Sequence, residues 1–242
     1  MRLLLVALAT VTVSRPSHAQ TAGDGFLFHT PVGSWGFYGG FDRAFAGGDL
    51  FEFVTSELTL KRSDFSSVTF GGNVAIRILA HDDLVFDVSY ASSSQGSEFR
   101  DWVDQNNQPI EQTTSLRRIP ITVGLKHYLV PRGRSIGQFA WIPERHLPFV
   151  KLSAGLMHYR FRQIGDFVDV QTQRVFSDAF ESKAWTPVLR AGGGLDVTVG
   201  GVVFTGEARY TWAKGPVGRD YVGFHRIDLS GLSATAGFAV RF

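Results

Sequence analysis

Charged side chains recur at alternate positions within segments that are otherwise apolar or small, and they are the residues best placed to act together. Ten of them carry both signs of charge: Arg77, Asp87, Arg118, Lys126, Lys151, Arg190, Asp196, Glu207, Arg209 and Arg241. Charges that share a low-dielectric interior persist by pairing and by hydrogen bonding. We therefore predict a stabilising ionic network, and a narrow pathway for a small solute lined by the same residues is the alternative.

Patterns typical of catalytic or metal centres are missing from the sequence. The histidines are scattered without His-x-x-x-His spacing and the chain has no Cys, so neither a metal site nor thiolate chemistry is indicated. Gly192, Gly193 and Gly194 are followed by Leu195 rather than by the Gly-Lys-Ser/Thr of a phosphate-binding loop. We predict no catalytic residues, no cofactor and no metal.

The first residues have the organisation of a secretory signal peptide. An apolar stretch of signal-peptide length follows Arg2, and a small-x-small cleavage motif stands at residues 17–19. We predict that residues 1–19 are a signal peptide that is removed on export, with an uncleaved anchor as the alternative. Residues 20–242 then form a single domain.

The charge balance gives no indication of a nucleic-acid partner. The chain has 24 Lys and Arg against 22 Asp and Glu, and two of the cations, Arg2 and Arg15, fall in the predicted signal peptide. The remaining chain is close to neutral, so the sequence pI of 9.0 does not indicate nucleic acid. Beyond residue 19, no apolar run approaches the roughly 20 residues that a transmembrane helix needs.

From residue 20 onward the sequence divides into alternating apolar and polar segments of about ten residues, a pattern typical of β-strands with one apolar face. Eight such segments lie near residues 34–43, 68–79, 84–91, 118–129, 150–157, 189–199, 202–212 and 232–242. The ten charges share one face, and the opposite face is almost entirely aliphatic, aromatic or Gly. Periodicity alone does not decide which face is inside, because a soluble barrel would turn the charges outward and a membrane barrel inward.

The connections between these segments alternate in length. Those at 80–83, 130–147 and 200–201 alternate with longer polar connections at 44–67, 92–115, 163–184 and 213–228. Residues 51–61 and 167–176 are strand-like, and we predict that both are hairpin extensions above a membrane. If both crossed the membrane, the barrel would have about ten strands rather than about eight.

The C-terminal segment carries a specific resemblance. Its apolar face ends in Phe238, Val240 and Phe242, the last residue of the sequence. This ending resembles the C-terminal signature of bacterial outer-membrane β-barrels, and the architecture resembles small OmpX-like and OmpW-like barrels. The resemblance implies an all-β fold, a closed antiparallel up-and-down transmembrane β-barrel of about eight strands. It also implies that these three residues form an insertion signal for the barrel-assembly machinery.

Aromatic residues near the predicted strand ends favour lipid on the outside of the barrel. Tyr and Trp form girdles at the level of the lipid head groups in such proteins. The residues concerned are Trp35, Tyr90, Tyr128, Trp185, Tyr210 and Trp212. The implied location is the bacterial outer membrane, with membrane lipid and lipopolysaccharide as partners.

The function implied by the resemblance is non-enzymatic, with a structural or surface-interaction role. The long loops would carry that role and would present groups such as Phe99, Trp102 and Tyr221 to an unidentified extracellular ligand. A narrow OmpW-like pore for small solutes is one alternative, and a soluble periplasmic lipocalin-like barrel is another.

A lipid A-modifying enzyme is a further alternative, because some small outer-membrane barrels carry a His-based catalytic set at the outer rim. His158 with Glu181 or Ser182 could form such a set, although the sequence around them matches no motif.

Overall fold

The computed structural model describes residues 27–136, 140–169, 172 and 174–242. Its strands are β1 (Gly33–Ala44), β2 (Ser67–Arg77), β3 (Asp82–Val103), β4 (Pro109–Tyr128), β5 (Gly133–Ile136), β6 (Ala140–Pro143), β7 (His146–Asp169), β8 (Arg174–Val199), β9 (Val202–Gly215), β10 (Ile227–Asp228) and β11 (Gly231–Arg241). The helices are α1 (Asp49–Glu57) and the short 3₁₀ helices Arg62–Phe65 and Arg219–Tyr221. None of these helices is long and apolar enough to cross a membrane. The predicted signal peptide, residues 1–19, lies outside the described residues.

Eight of the strands form a closed ring in the order β1-β2-β3-β4-β7-β8-β9-β11. Each strand of the ring is antiparallel to both neighbours. The ring closes between β1 and β11, where Ser34 stands opposite Arg241 and Ala44 opposite Gly231. Closure leaves no unpaired strand edge, which lipid could not hydrogen-bond. The predicted eight-stranded antiparallel up-and-down barrel is confirmed.

The strands form where side chains alternate between the two faces of the wall. In β2, Val68, Phe70 and Val74 are exposed on the outside, whereas Thr69 and Ala75 are buried inside. The same alternation continues around the ring, so each strand contributes one row to the interior and one to the exterior.

The connections define two ends of the barrel. We call the end with connections 78–81, 129–145 and 200–201 the turn end, and the opposite end the loop end. The turn between β8 and β9 is confirmed as a tight hairpin, and Gly200 adopts a φ of 59° there, a conformation that suits Gly at a two-residue turn.

Two hairpins extend well past the other strands at the loop end. Glu98 of β3 is paired with Glu111 of β4, and Val168 of β7 is paired with Val175 of β8. The predicted connections 92–115 and 163–184 are therefore largely strand. The inward positions of these stretches hold buried polar side chains such as Ser93, Gln112 and Thr114, and the outward positions are polar too. The polar–apolar alternation therefore disappears from the sequence while backbone pairing continues. The prediction of a hairpin extension at 167–176 is confirmed.

The prediction of a hairpin extension at 51–61 is wrong, because most of this stretch is the helix α1. Leu50, Phe51 and Val54 are its buried residues, a spacing that puts them on one helical face. Phe51 and Phe53 also fit the alternation of a strand, and so short an apolar run does not distinguish the two structures.

The long connection 129–145 contains a small hairpin of its own, formed by β5 and β6. Trp141 on β6 also makes an isolated antiparallel bridge to Leu27. The hairpin folds back against the barrel mouth, because the Trp141 ring lies 5.7 Å from the guanidinium carbon of Arg241 on β11.

Candidate functional site in the barrel interior

The two faces of the barrel wall differ in exposure and in charge. The outward side chains of Leu152 and Phe70 are 65% and 57% exposed, whereas Asp87 and Arg209 inside are 2% and 4% exposed. An apolar exterior around a charged interior is the arrangement of a barrel that spans lipid. It is the reverse of the lipocalin-like arrangement, and the predicted orientation of the strands is confirmed.

The apolar exterior forms a belt with the height of a bilayer core. Along β4 and its first turn residue, the outward side chains from Leu129 to Ile119 are apolar except His127, which pairs with Asp82 near the turn end. Ten residue steps of about 3.3 Å, tilted by about 40°, correspond to roughly 25 Å. The next outward residue toward the loop end is Arg117, which is exposed, so the belt ends between Ile119 and Arg117.

Most of the predicted girdle aromatics lie on the outside. Those that face outward are Trp35, Tyr90, Trp185, Tyr210 and Trp212. Tyr128 is the exception and corrects the prediction, because it points inward and its hydroxyl donates to Asp196 at 3.0 Å. A buried phenol of this kind needs a polar partner, which only the interior supplies.

Asp87 of β3 is the centre of the interior network. The Tyr38 hydroxyl donates to its carboxylate at 2.9 Å, and Nη1 of Arg190 donates at 3.1 Å. Nη1 of Arg209 and Nζ of Lys151 each lie 3.5 Å from an Asp87 carboxylate oxygen. Three cations from β7, β8 and β9 therefore share one buried carboxylate.

Glu207 supplies a second carboxylate at this level. Its oxygens lie 3.7 Å from Nζ of Lys151 and 3.4 Å from Nε of Arg209, and the latter contact lacks hydrogen-bond geometry. Arg209 also stacks 4.7 Å from the centre of the Tyr38 ring and donates to Thr235 at 3.4 Å. We call the charged residues at this level the central ionic layer: Asp87, Lys151, Arg190, Glu207 and Arg209.

A second ionic group lies nearer the turn end. Nζ of Lys126 donates to Oδ2 of Asp196 at 2.6 Å, and the Thr205 hydroxyl donates to Oδ1 at 2.8 Å. The Lys126 ammonium also lies 3.8 Å from the centre of the Phe149 ring. Paired charge, hydrogen bonds and a cation–π contact together compensate the desolvation of this ammonium.

A third ionic group lies nearer the loop end. Nη2 of Arg118 donates to Oδ1 of Asp42 at 2.5 Å, and Nη1 donates to the carbonyl oxygen of Leu229 at 3.4 Å. Asp42 was missed by the sequence analysis, although it occupies an inward position of the first predicted segment. Extending the same alternation rule to that segment would have found it.

Arg77 and Arg241 lie at the turn end, apart from the three ionic groups. Nε of Arg77 donates to the carbonyl oxygen of Leu79 at 3.4 Å, and Nη2 of Arg241 donates to the Thr198 hydroxyl at 3.1 Å. The structure thus places the other eight predicted charges in ion pairs and these two at the barrel mouth.

An ion pair that the sequence did not indicate joins two connections at the turn end. Arg132 pairs with Asp83 and donates to the carbonyl oxygens of Leu79 at 2.8 Å and Ala80 at 3.0 Å. These contacts hold the 129–145 connection against the neighbouring turn. Irregular connections have no periodicity, so nothing in the sequence pattern pointed to this pairing.

A cavity of about 70 Å³ lies between the turn-end hairpin and the central ionic layer. Its charged lining residues are Arg77, Asp83, Lys126, Arg132, Lys151, Asp196, Glu207 and Arg241. This volume accommodates a few water molecules. A depression beside Lys151, Arg190, Glu207 and Arg209 of the central ionic layer has a free volume of about 0 Å³, so water does not fit at this point.

An apolar plug fills the loop end of the barrel. Phe51 of α1 packs 4.8 Å from the Phe65 ring and 5.7 Å from the Phe161 ring, and Phe161 packs 5.5 Å from Tyr221. We define the plug by its buried side chains, which include Leu50, Phe51, Val54, Leu58, Leu60, Phe65, Phe161, Tyr221, Ile227 and Leu229. The connections 45–66 and 216–230 therefore turn many of their apolar side chains into the barrel, although Phe53 and Val222 stay exposed.

The residues expected to be presented by the loops are mostly not free. Tyr221 is 5% exposed and its hydroxyl donates to Gln163 at 3.1 Å, which corrects the expectation that it faces a partner. Phe99 packs against the apolar plug, and Trp102 is half-buried. Aromatic residues in polar loops are expected from sequence to be exposed, but Phe99 and Tyr221 pack with the apolar plug instead.

The side chains of the hypothetical enzymatic set do not converge. His158 faces outward and packs 5.2 Å from the Trp185 ring. Ser182 faces inward, where its hydroxyl is 3.0 Å from the Tyr159 hydroxyl. Glu181 is on the outer face and is held by Arg160 and Lys183, whose hydrogen bonds lower the pKa of its carboxyl. Within the described ranges, no three His, Asp or Glu side chains are grouped as a metal site would require.

Comparison with known proteins finds similarity at the level of overall architecture. No protein-family model matches the chain, and no curated protein matches it in sequence. Similar solved structures include the outer membrane protein OprG from Pseudomonas aeruginosa, 12% identical, covering 89% of this chain and 99% of that chain with a TM-score of 0.46. Neisserial surface protein A is 13% identical, covering 90% and 98% with a TM-score of 0.44. Ail, the attachment invasion locus protein of Yersinia pestis, in complex with the heparin analogue sucrose octasulfate, is 12% identical, covering 87% and 98% with a TM-score of 0.40.

The architecture is decided by the ring of eight strands, the apolar belt and the charged interior. The chain folds as a small eight-stranded β-barrel with the polarity of a barrel that spans lipid. The predicted resemblance is confirmed for the fold. Phe238, Val240 and Phe242 lie on the outward face of the C-terminal segment, where β11 pairs with β1.

Proposed function

We propose that the protein is a closed, non-enzymatic β-barrel of the bacterial outer membrane with a structural or surface-interaction role. The observation that carries this proposal is the apolar plug, whose buried side chains fill the loop end above the ionic groups. A packed plug cannot let a solute pass without local unfolding of its core. The interior therefore serves stability, and any role toward a partner falls to the outer surfaces.

A narrow pore for small solutes is the second candidate, and the cavity near the turn end is the feature that favours it. A solute that reached this cavity would next meet the paired charges of the central ionic layer, where the depression beside Arg190 and Arg209 has no room for water. Beyond it lie the Arg118–Asp42 pair and the apolar plug. These three obstructions follow one another along the barrel interior and support a barrel that does not conduct.

The two extended hairpins are the surfaces best placed for an interaction outside the membrane. On β3, residues 92–103 continue past the apolar belt for roughly 35 Å along the strand. Exposed polar side chains on this stretch include Gln95, Glu98 and Arg100. Protruding segments on a rigid scaffold are common carriers of binding, and the extracellular ligand of this proposal is unidentified.

The proposal includes export and insertion. Residues 1–19 act as the signal peptide, and Phe238, Val240 and Phe242 are read by the barrel-assembly machinery. Their outward, lipid-side positions on the closing strand support a role in insertion. The expected lipid partners are those of the outer membrane, lipopolysaccharide among them, because the apolar belt must contact acyl chains.

Enzymatic modification of lipid A is the weaker candidate. His158 and Ser182 lie on opposite faces of the wall formed by β7 and β8. A nucleophile and its base need direct hydrogen-bond contact, or contact through one water. This separation supports a non-enzymatic role.

Conductance in planar bilayers tests the closed barrel. The refolded protein is first shown to shift in gel mobility on heating, which reports a closed barrel, and is then added to the bilayer. We expect no unitary conductance steps. Reproducible steps from the wild-type protein would contradict the closed barrel and favour the pore. Cell fractionation tests the location, and recovery in the soluble periplasmic fraction would contradict the outer-membrane assignment.

A further inference from the structure

We propose that cations on the outer surface of β4, β7 and β8, with an apolar groove beside them, form a binding site for a phosphate-bearing acyl lipid of the surrounding membrane. This inference rests on the proposed membrane location and adds a specific lipid site to it. The barrel interior takes no part in the site.

The cations stand side by side on neighbouring strands. Arg117 of β4 is directly opposite Arg160 of β7, and Arg160 is directly opposite Lys183 of β8. All three face outward, and the side chains of Arg160 and Lys183 are 38% and 62% exposed. Like charges directly opposite each other on a sheet repel. An anion that bridges them would relieve this repulsion.

A single carboxylate contacts this group from within the described chain. Glu181 is paired with Arg160, and its Oε1 lies 2.7 Å from Nζ of Lys183. Arg162, the next outward residue on β7, stands directly opposite Glu181 and adds a fourth cation. We define the cation row as Arg117, Arg160, Arg162 and Lys183. Asp220 adds a second carboxylate beside this group, since its Oδ2 accepts a hydrogen bond from the backbone N–H of Glu181 at 2.9 Å. Four positive charges against two carboxylates still favour an anionic partner.

The cation row lies at the edge of the apolar belt. One row closer to the turn end, Ile119, His158 and Trp185 are paired across the same three strands. Two residues along a strand correspond to about 7 Å. The indole of Trp185 therefore marks the head-group level, and the cation row sits at the depth of lipid phosphates.

An apolar groove of about 500 Å³ begins beside Trp185 and runs into the belt. Ala154 and Gly155 form its floor, and Phe86, Ile121 and Leu156 contribute to its walls. The small floor residues leave the depression between larger neighbours. The groove is open along the outer wall, and its largely apolar lining matches an acyl chain.

The row and the groove together specify one kind of occupant. A free phosphate would use only the cations, and a neutral lipid would use only the groove. A lipid with phosphate on its head group reaches both, because the groove starts one row below the cations. The leaflet at the loop end is where such a lipid would be recognised.

Native mass spectrometry of the full chain refolded in detergent tests the site, with lipid A as the probe. We expect the wild-type protein to retain one lipid A and the double variant Arg117→Gln/Lys183→Gln to bind it roughly thirtyfold more weakly, as the loss of two surface charges predicts. Ala154→Trp, which fills the groove without changing charge, is expected to weaken binding too. The matched control Arg43→Gln/Lys214→Gln removes two exposed outward cations from β1 and β9 and should leave binding unchanged.

Equal lipid A binding by the wild type and the Arg117→Gln/Lys183→Gln variant would overturn the site, as would an equal loss in the control. Inorganic phosphate and phosphatidylcholine are the comparison probes. If inorganic phosphate bound as tightly as lipid A, the site would be an anion site and the lipid proposal would be overturned. Unchanged binding of lipid A by Ala154→Trp would have the same consequence. A wild-type protein without a heat-dependent gel shift would instead contradict the membrane barrel, so the two failures are distinguishable.

Discussion

Arg118 donates a hydrogen bond of 2.5 Å to Asp42 inside the barrel, although the two residues are 76 positions apart in the sequence. Their side chains are 4% and 10% exposed. Arg118 also donates to the carbonyl oxygen of Leu229, a residue of the apolar plug. This pair therefore joins the ionic interior to the plug that closes the loop end.

Asp42→Ala is expected to destabilise the barrel by about 3–5 kcal/mol, because it leaves the Arg118 guanidinium buried without its counter-charge. The measurement is the urea midpoint of the refolded protein, followed by gel mobility. The double variant Asp42→Ala/Arg118→Met should recover much of the loss, since an apolar pair carries no desolvation penalty. A double variant as unstable as Asp42→Ala would contradict the coupling.

Asp87→Asn is expected to cost more stability than Glu207→Gln. Asp87 accepts hydrogen bonds from Tyr38 and Arg190 and lies near Lys151 and Arg209, whereas Glu207 makes only contacts of 3.4 and 3.7 Å in the central ionic layer. We expect losses of about 3–5 and about 1–2 kcal/mol. The two variants remove the same charge, so each serves as the control for the other. Equal urea midpoints would contradict the conclusion that Asp87 is the central carboxylate of the layer.

Phe51→Ala is expected to destabilise the apolar plug by about 3–5 kcal/mol, because the ring is fully buried against Phe65 and Phe161. Phe53→Ala is the matched control on the same helix, since its ring is 50% exposed. Hydrogen exchange of α1 measures the effect, and faster exchange is expected in Phe51→Ala alone. The same rate in both variants would mean that α1 is held by something other than its buried face.

Phe51→Ala should still not conduct ions, because the Arg118–Asp42 pair and the paired charges of the central ionic layer still occupy the interior below the plug. Planar-bilayer recordings of this variant separate the two closures. Conductance in the variant, but not in the wild type, would identify the plug as the only seal.

The tether between α1 and the 216–230 connection should weaken at acid pH. The backbone N–H of His225 donates to Oδ2 of Asp49 at 2.8 Å, and the ring Nδ1 lies 2.7 Å from the same oxygen. These hydrogen bonds lower the pKa of Asp49. A lowered pKa means that the stabilisation is complete above the unfolded value of about 4 and is lost as the pH falls through the folded value.

Hydrogen exchange of the His225 amide measures this tether. We expect protection to be retained above the unfolded value of about 4 and to be lost only as the pH falls further, through the lowered pKa of Asp49. Asp49→Asn should remove this acid-dependent step. A step that persists in Asp49→Asn would assign it to another carboxyl group.

The strands could be predicted from sequence because their signal is local. Alternation every second residue located all eight barrel strands and placed the ten predicted charges on one face. The prediction failed where that signal ended. Residues 92–115 have no clear alternation and are predicted as a loop, but most of this range is paired strand. The helix α1 was missed because a short apolar run satisfies both periods.

The partners of the interior charges could not be predicted. Asp87 meets Arg190 and Arg209, which are 103 and 122 positions away. Which inward residues share a level depends on the tilt of the strands and on the stagger of every pairing around the ring. Asp83 and Arg132 lie in or beside turns, where no periodicity reports on position.

The sequence by itself determined that this chain forms strands with one apolar and one charged face, since that pattern is a property of neighbouring residues and of the pleat. Only the tertiary structure decided which charges pair, that the loops turn inward to plug the barrel, and that cations on β4, β7 and β8 stand in one row. Those features depend on contacts between residues far apart in the chain, and ring closure sets their register.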